Sequence, residues 1–324
     1  MSRATDEATP GAAITRSRAA GVRRWPPRRT LASPRVRRQT YVGWLFVLPA
    51  LLVYAAFVLQ PLALTVQYSF YRWDGFGPAT WVGLSNYTSV LTDPNLLGTI
   101  FNALRLVVFF SLIPVSLGLV TASVIHRVAT GRLGAVARTV LFLPQVIPLV
   151  AAGIIWGRLL SLQGLVNQTL GAVGLSGLAR AWLGDFDFAL VAVGLIGVWV
   201  LLGFCTVLLL TGMSKVDPAL FESARIDGAG WRQEFQSITV PSLRYEIGVC
   251  LTVTVIAALA AFDIVYVSTG GGPGNSTAVP GIKIYYLAFL ERQVGLASAL
   301  AVAIVVLVLA IILPIQRLTR DDSR

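Results

Sequence analysis

Charge is scarce in this chain. Only 13% of its 324 residues are Asp, Glu, Lys or Arg, where a water-soluble domain of this length carries about a quarter. Histidine is scarcer still, with His126 the single one. Metal sites need several His, Cys or carboxylate ligands at set spacings, so no metal is expected. The two cysteines, Cys205 and Cys250, fall inside apolar runs, which excludes a secreted disulfide framework. Lysine is nearly missing too. Lys215 and Lys283 are the only two, and neither ends a G-x-x-x-x-G-K-[ST] loop. ATP binding and cleavage by that route are excluded, and no cofactor is expected. The glycine run Gly270–Gly274 lacks the lysine as well and reads as a turn. Paired carboxylates and a Ser/His pair are absent, so no catalytic residue is named and an enzyme is not expected.

What fills the chain instead is hydrocarbon, at 56% of residues. A bilayer-crossing helix needs roughly 20 apolar residues. Six stretches qualify, near 42–68, 104–126, 139–160, 188–212, 246–268 and 294–316. The fold class is therefore all-α, a polytopic membrane protein of six spans. The third span holds Pro144 and Pro148, which predicts a kink or a local unwinding. Such breaks survive in lipid where neighbours re-satisfy the freed backbone groups, although prolines are also commoner in spanning helices generally.

Basic residues orient the bundle. The N-terminal tail has ten Lys or Arg, the 126–138 loop three, the 213–245 loop four and the C-terminal tail three. The pieces 69–105, 158–187 and 269–293 have two each. Basic residues stay cytoplasmic, which places both termini inside, in the cytoplasmic membrane. The surplus of positive charge is thus a membrane signal and not a nucleic-acid one. Residues 1–40 read as a disordered tail that touches anionic headgroups or is simply solvated. The first apolar run is too long for a cleaved signal core.

One polar island stands out, Asp217 to Pro241. Asp217 is placed to cap a helix opening on Pro218. Gly228 or Gly230 is placed to end it. A second short helix follows over Trp231–Ser237, and Pro241 opens the fifth span. Leu220, Phe221, Ala224 and Gly228 are expected on one face, small enough for another protein to approach. A helix resting on headgroups would be rich in Lys and Arg. Residues 213–245 carry four basic and four acidic ones, a balance that favours a protein partner.

The residues of this island resemble a known family. Glu222-Ser223-Ala224, then Gly228, then Ile238-Thr239-Val240-Pro241 are similar to the E-A-A-x3-G-x9-I-x-L-P loop of permease subunits of binding-protein-dependent ABC importers. Ser223 and Val240 depart from the usual Ala and Leu and keep the spacing. Asp227 fits beside Gly228. Arg138 to Pro144 with Pro148 and Ile155-Trp156, Gly164 to Asn167, Ala261 to Tyr266 with Thr269 to Asn275, Tyr285 to Phe289, and Ala297 to Leu300 match carbohydrate-type permeases of the maltose and glycerol-3-phosphate kind. The resemblance covers about 41–316. It implies a type I importer fold with a permease domain over 41–316 (core 98–316), a coupling loop at 213–245 and tails at 1–40 and 317–324. It also implies a cytoplasmic ABC ATPase dimer that binds the ATP, a second and often related permease chain, and an extracytoplasmic solute-binding protein. Glu222, Ser223, Ala224, Asp227, Gly228, Ile238 and Pro241 become the ATPase-coupling residues, with Glu222 paired to a basic group and Gly228 making the turn.

The solute pathway is less marked. Asp263 is the one acid well inside a span, with Phe262 and Tyr266 near it and Trp199, Trp156 and Gln145 on other spans. Intramembrane charges are functional candidates, and a carboxylate with aromatic rings suits a sugar, polyol or polyol phosphate. Equally, Asp263 could be wet and capping, and the rings interface anchors. An autonomous secondary transporter or channel is the alternative class. It would need more coupling acids than Asp263.

Overall fold

The computed structural model describes residues 34–128 and 131–319. The basic tail lies outside the described residues up to 33, as do 320–324 at the other terminus. The described residues divide into two units, one up to Phe57 and one from Val58 onward. In the first, helix α1 (Pro34–Tyr54) starts ahead of the expected Tyr41. Its opening residue is a proline, whose missing N–H costs nothing at a helix start.

The second unit begins with α2 (Gln60–Tyr68), then strands β1 (Tyr71–Arg72) and β2 (Thr80–Trp81). The strands pair antiparallel, with Tyr71 opposite Trp81 and Arg72 opposite Thr80. This ribbon is the one exception to an all-helical chain among the described residues. Asn86, on α3 (Ser85–Thr92), braces it by donating to the Ser69 and Tyr71 carbonyls, both at 2.9 Å.

Helix α4 (Pro94–Val128) starts earlier than the sequence predicts for the second span. Asp93 caps it, accepting from the Asn95 amide at 2.8 Å, and Pro94 occupies the first position. Leu96, Thr99, Ala103, Leu106 and Phe110 are buried along it, the spacing of one helical face. The third span is broken as its prolines require. Helices α5 (Arg132–Val146) and α6 (Leu149–Leu159) meet at 96°. Ile147 is extended, at φ −75°, ψ 126°, because a residue before proline avoids the helical region.

Next come α7 (Leu165–Ala172), α8 (Ala189–Met213), α9 (Pro218–Ile226), α10 (Trp231–Ser242), α11 (Arg244–Leu259), α12 (Phe262–Ser268), α13 (Pro280–Tyr285) and α14 (Val294–Leu318). Four stretches are long and apolar enough to cross a membrane: Trp44–Tyr68, α4, α8 and α14. Counting each of the bent pairs α5–α6 and α10–α11 as one span brings the candidates among the described residues to six. The fifth differs from its expected course. It breaks after Leu259 in a tight reversal, where Ala261 sits at φ −72°, ψ 59° and the Phe262 amide donates to the Ala260 carbonyl at 2.7 Å. That is an inverse γ-turn, and no proline or glycine marks it.

Helix α8 is apolar all round, as a helix enclosed by others should be. Small residues let its neighbours approach. A β-carbon on Gly203 would fall 1.9 Å from the Leu141 carbonyl oxygen of α5. Hydroxyls add directional ties between spans: Thr254 donates to Ser111 at 2.7 Å, and Thr121 and Thr206 share a bond of 2.8 Å. Such pairs are worth about 0.6–2 kcal/mol in lipid.

Gly203→Leu should wedge α5 from α8 and lower unfolding free energy by about 1–3 kcal/mol. Thermal unfolding of the purified protein in nanodiscs checks this, and an unchanged midpoint would contradict the close approach.

Candidate functional site

The island folds from its own sequence. Asp217 accepts from the Ala219 amide at 2.9 Å and Pro218 takes the first helical position, which starts α9. Its end is a Schellman turn. The Gly228 amide reaches the Arg225 carbonyl at 3.1 Å and the Ala229 amide the Ala224 carbonyl at 2.9 Å. Gly228 has φ +82°, and nothing lies within 4 Å of where its β-carbon would be. The backbone conformation, not space, demands glycine there.

The expected residues fall on two sides of this elbow. Ala224, Asp227, Gly228 and Ile238 line one recess of about 320 Å³. Pro241 lines another with Asp217 and Leu220, of about 800 Å³. Glu222 and Ser223 stand exposed on α9. Two expectations need correction. Phe221 is not on the open face: it is 8% exposed, and its ring lies 5.9 Å from that of His126. Pro241 does not open the fifth span: it ends α10, and α11 starts at Arg244 after a 71° bend at buried Leu243.

Side chains that the sequence did not single out tie the elbow to α4. The Trp231 indole donates to the Ser123 hydroxyl at 3.1 Å. Glu234 is 4% exposed. One of its oxygens accepts from Arg225 Nε at 2.8 Å, and the other lies 3.7 Å from Arg127 Nη1. The hydrogen bond that Arg225 donates to Glu234, and then the carboxylate's charge, hold the Arg225 proton more tightly than usual. A tryptophan in a polar loop was the only advance signal for this tie.

The pathway candidates separate into groups. On α12, Phe262 and Tyr266 stack at 5.1 Å. Tyr285 closes on them at 5.8 and 5.7 Å, and Tyr286 and Phe289 extend the row at 5.7 and 5.4 Å. Asp263 is exposed on the same short helix. Trp199 instead meets Trp156 edge-on at 5.5 Å. Gln145 sits at the α5–α6 bend beside Pro144. The Gln145 carbonyl oxygen and the Trp156 indole N–H are buried without a hydrogen-bond partner. Trp156 and Phe262 pack against one buried cluster that includes Ile196 and Ile264, so the ring row and the tryptophan pair border a common core. Among the described residues no cluster of His, Cys, Asp and Glu could hold a metal.

Residues 114–319, well over half the chain, match the family described as binding-protein-dependent transport system inner membrane component. The chain belongs to that family. A probable ABC transporter permease protein of Bacillus subtilis, YurN, is 34% identical, covering 85% of this chain and 95% of its own. The trehalose/maltose transport system permease protein MalF of Thermococcus litoralis is also 34% identical, over 88% of this chain and 96% of its own. The fold matches the crystal structure of a bacterial ABC transporter that imports alginate, with TM-score 0.76, 22% identity, and coverage of 89% of this chain and 98% of that one. This inner-membrane transport component is thus a permease and not an enzyme. The matched region takes in the whole elbow and both groups of aromatic candidates, and of α4 the part from 114 onward.

Gly228→Val should unravel the end of α9, since a left-handed backbone costs an ordinary residue about 1–2 kcal/mol. Amide exchange at 228 and 229 should speed up roughly tenfold, whereas Gly228→Asn, which tolerates that conformation, should stay near native. Equal protection in both variants would refute the turn's role.

Proposed function

We propose that this inner-membrane component is the permease subunit of an ATP-driven ABC importer that carries a sugar, oligosaccharide or related polyol (phosphate) across the cytoplasmic membrane. Both termini and the 217–241 elbow face the cytoplasm, in keeping with the surplus of Lys and Arg on that side. A cytoplasmic ABC ATPase dimer binds and cleaves the ATP. A second permease chain, a related heterodimer partner, completes the pathway. An extracytoplasmic binding protein delivers the solute. The bilayer is the solvent for the spans, and nucleic acid has no part.

The observation that carries this reading is the elbow itself. It is a capped two-helix projection whose exposed face presents Glu222, Ser223 and a notch lined by Ala224, Asp227, Gly228 and Ile238. ATPase closure would press on that face and turn the spans between inward-facing and outward-facing states. The relative named for trehalose and maltose supports the sugar class. So does the chemistry of the Phe262, Tyr266 and Tyr285 rings beside Asp263. Sugar C–H faces pack on aromatic rings, and a carboxylate accepts from hydroxyls. Trp199, edge-on to Trp156, and Gln145 at the α5–α6 bend are the further pathway candidates of this reading.

The test is reconstitution in liposomes with the ATPase, partner permease and binding protein, using labelled trehalose, maltose and an alginate oligosaccharide. Glu222→Lys and Gly228→Val should abolish uptake while inserting normally. Tyr266→Ala should lower it by about tenfold, the scale of one lost stacking contact of roughly 1.4 kcal/mol. Normal transport by both elbow variants, or uptake without any ATPase, would overturn the proposal.

A further inference from the structure

We infer that Glu234 is a positioning residue that clamps the elbow to the end of α4, so that α9 and α4 move as one body. The inference depends on the coupling role proposed for the elbow and adds the part that transmits the push.

A buried carboxylate costs several kcal/mol in lost hydration unless it is paired. Glu234 is nearly enclosed and is paired twice, one oxygen to each of two arginines on different helices. Arg225 belongs to the last turn of α9. Arg127 belongs to the last turn of α4. Without the carboxylate between them, these two guanidinium groups would repel. The clamp has company on both sides. Trp231, three residues before Glu234 on α10, bonds Ser123, four residues before Arg127 on α4. Phe221, four residues before Arg225 on α9, meets His126. Those spacings put each set on a single helical face. The contact is therefore a seam made by side chains reaching between three helices, with the two ion pairs of Glu234 at its centre. Seam residues are few and long, so a charge removed from the middle loosens angular play more than it loosens either helix.

This arrangement has a mechanical consequence. A load on the exposed face of α9 reaches the spans through two routes: the chain itself at Asp217 and Leu243, and the seam onto α4. Neither chain connection is continuous helix: one is the four-residue turn from Ser214 to Asp217, the other the single residue Leu243 at φ −97°, ψ 9°. The seam is what ties the direction of α9 to α4.

Nitroxide labels at exposed Ser223 and Val124, with buried Cys205 and Cys250 left in place, report the distance from α9 to α4 by electron–electron resonance. In nanodiscs without the ATPase, the native protein should give one narrow distance. Glu234→Gln and Arg127→Gln should each broaden it by about twofold, and the double variant no further, because residues acting through each other are not additive. In the assembled importer, MgATP with vanadate should leave the native distance unchanged, and Glu234→Gln should lower trehalose or maltose uptake by about tenfold. An unchanged width in Glu234→Gln, or a native distance that shifts with MgATP, would overturn the inference. Should Glu234→Gln fail to insert, exposed Arg127→Gln decides by the same criteria. Failure of the coupling role looks different: Gly228→Val would transport normally, and the inference would fall with it because no load would enter the seam.

Discussion

Motion in a loop is worth nothing to a transporter unless it reaches the helices that enclose the solute. Here that continuity is a seam between the elbow and α4, built from the Glu234 carboxylate with Arg127 and Arg225, the Trp231–Ser123 bond and the Phe221–His126 contact. The rest of the structure is arranged around the two ends of that connection. At one end α9 stands out with Glu222 and Ser223 exposed. At the other, α4 runs unbroken from Pro94 to Val128, past the buried Ser111–Thr254 bond, and Asn102 near its start donates to the Ala278 carbonyl at 3.0 Å. A single long helix therefore joins the elbow to the loops around Gly270–Ala278.

The spans obey a second constraint. Hydrocarbon offers backbone groups no water, so each helix break has to be satisfied by protein. Both interior breaks lie next to candidate pathway residues. The α5–α6 bend sits beside Gln145, whose buried oxygen has no partner, and the α11–α12 turn presents Phe262, Asp263 and Tyr266. Irregular backbone at membrane depth is tolerated where it lines a cavity, which is consistent with the proposed route between these two breaks.

Much of this was legible in the sequence because its causes are local. The Asp217-Pro218 start, the left-handed Gly228 and the Pro144–Pro148 break each depend on a residue's own backbone preferences. The number of spans followed from apolar length. What escaped had distant causes. Glu234 reads as one more loop acid, and its burial depends on Arg127, more than a hundred residues earlier. Phe221 looked available on an amphipathic face until His126 covered it. The turn at Ala261 has no proline or glycine to announce it. Trp199 and Gln145 were grouped with Asp263 by residue type alone, whereas the structure pairs Trp199 with Trp156 and leaves Gln145 at a bend. The two-residue strands of the ribbon were too short to leave a periodic pattern.

The central claim is that the exposed face of α9 seats a separate ATPase. A photo-crosslinking amino acid at Ser223, irradiated in native membranes, tests this without reconstitution. The account predicts a single strong adduct to a protein carrying the G-x-x-x-x-G-K-[ST] loop that this chain lacks, and none from the same probe at Phe76 on the opposite end. Adducts to lipid alone at Ser223 would contradict it.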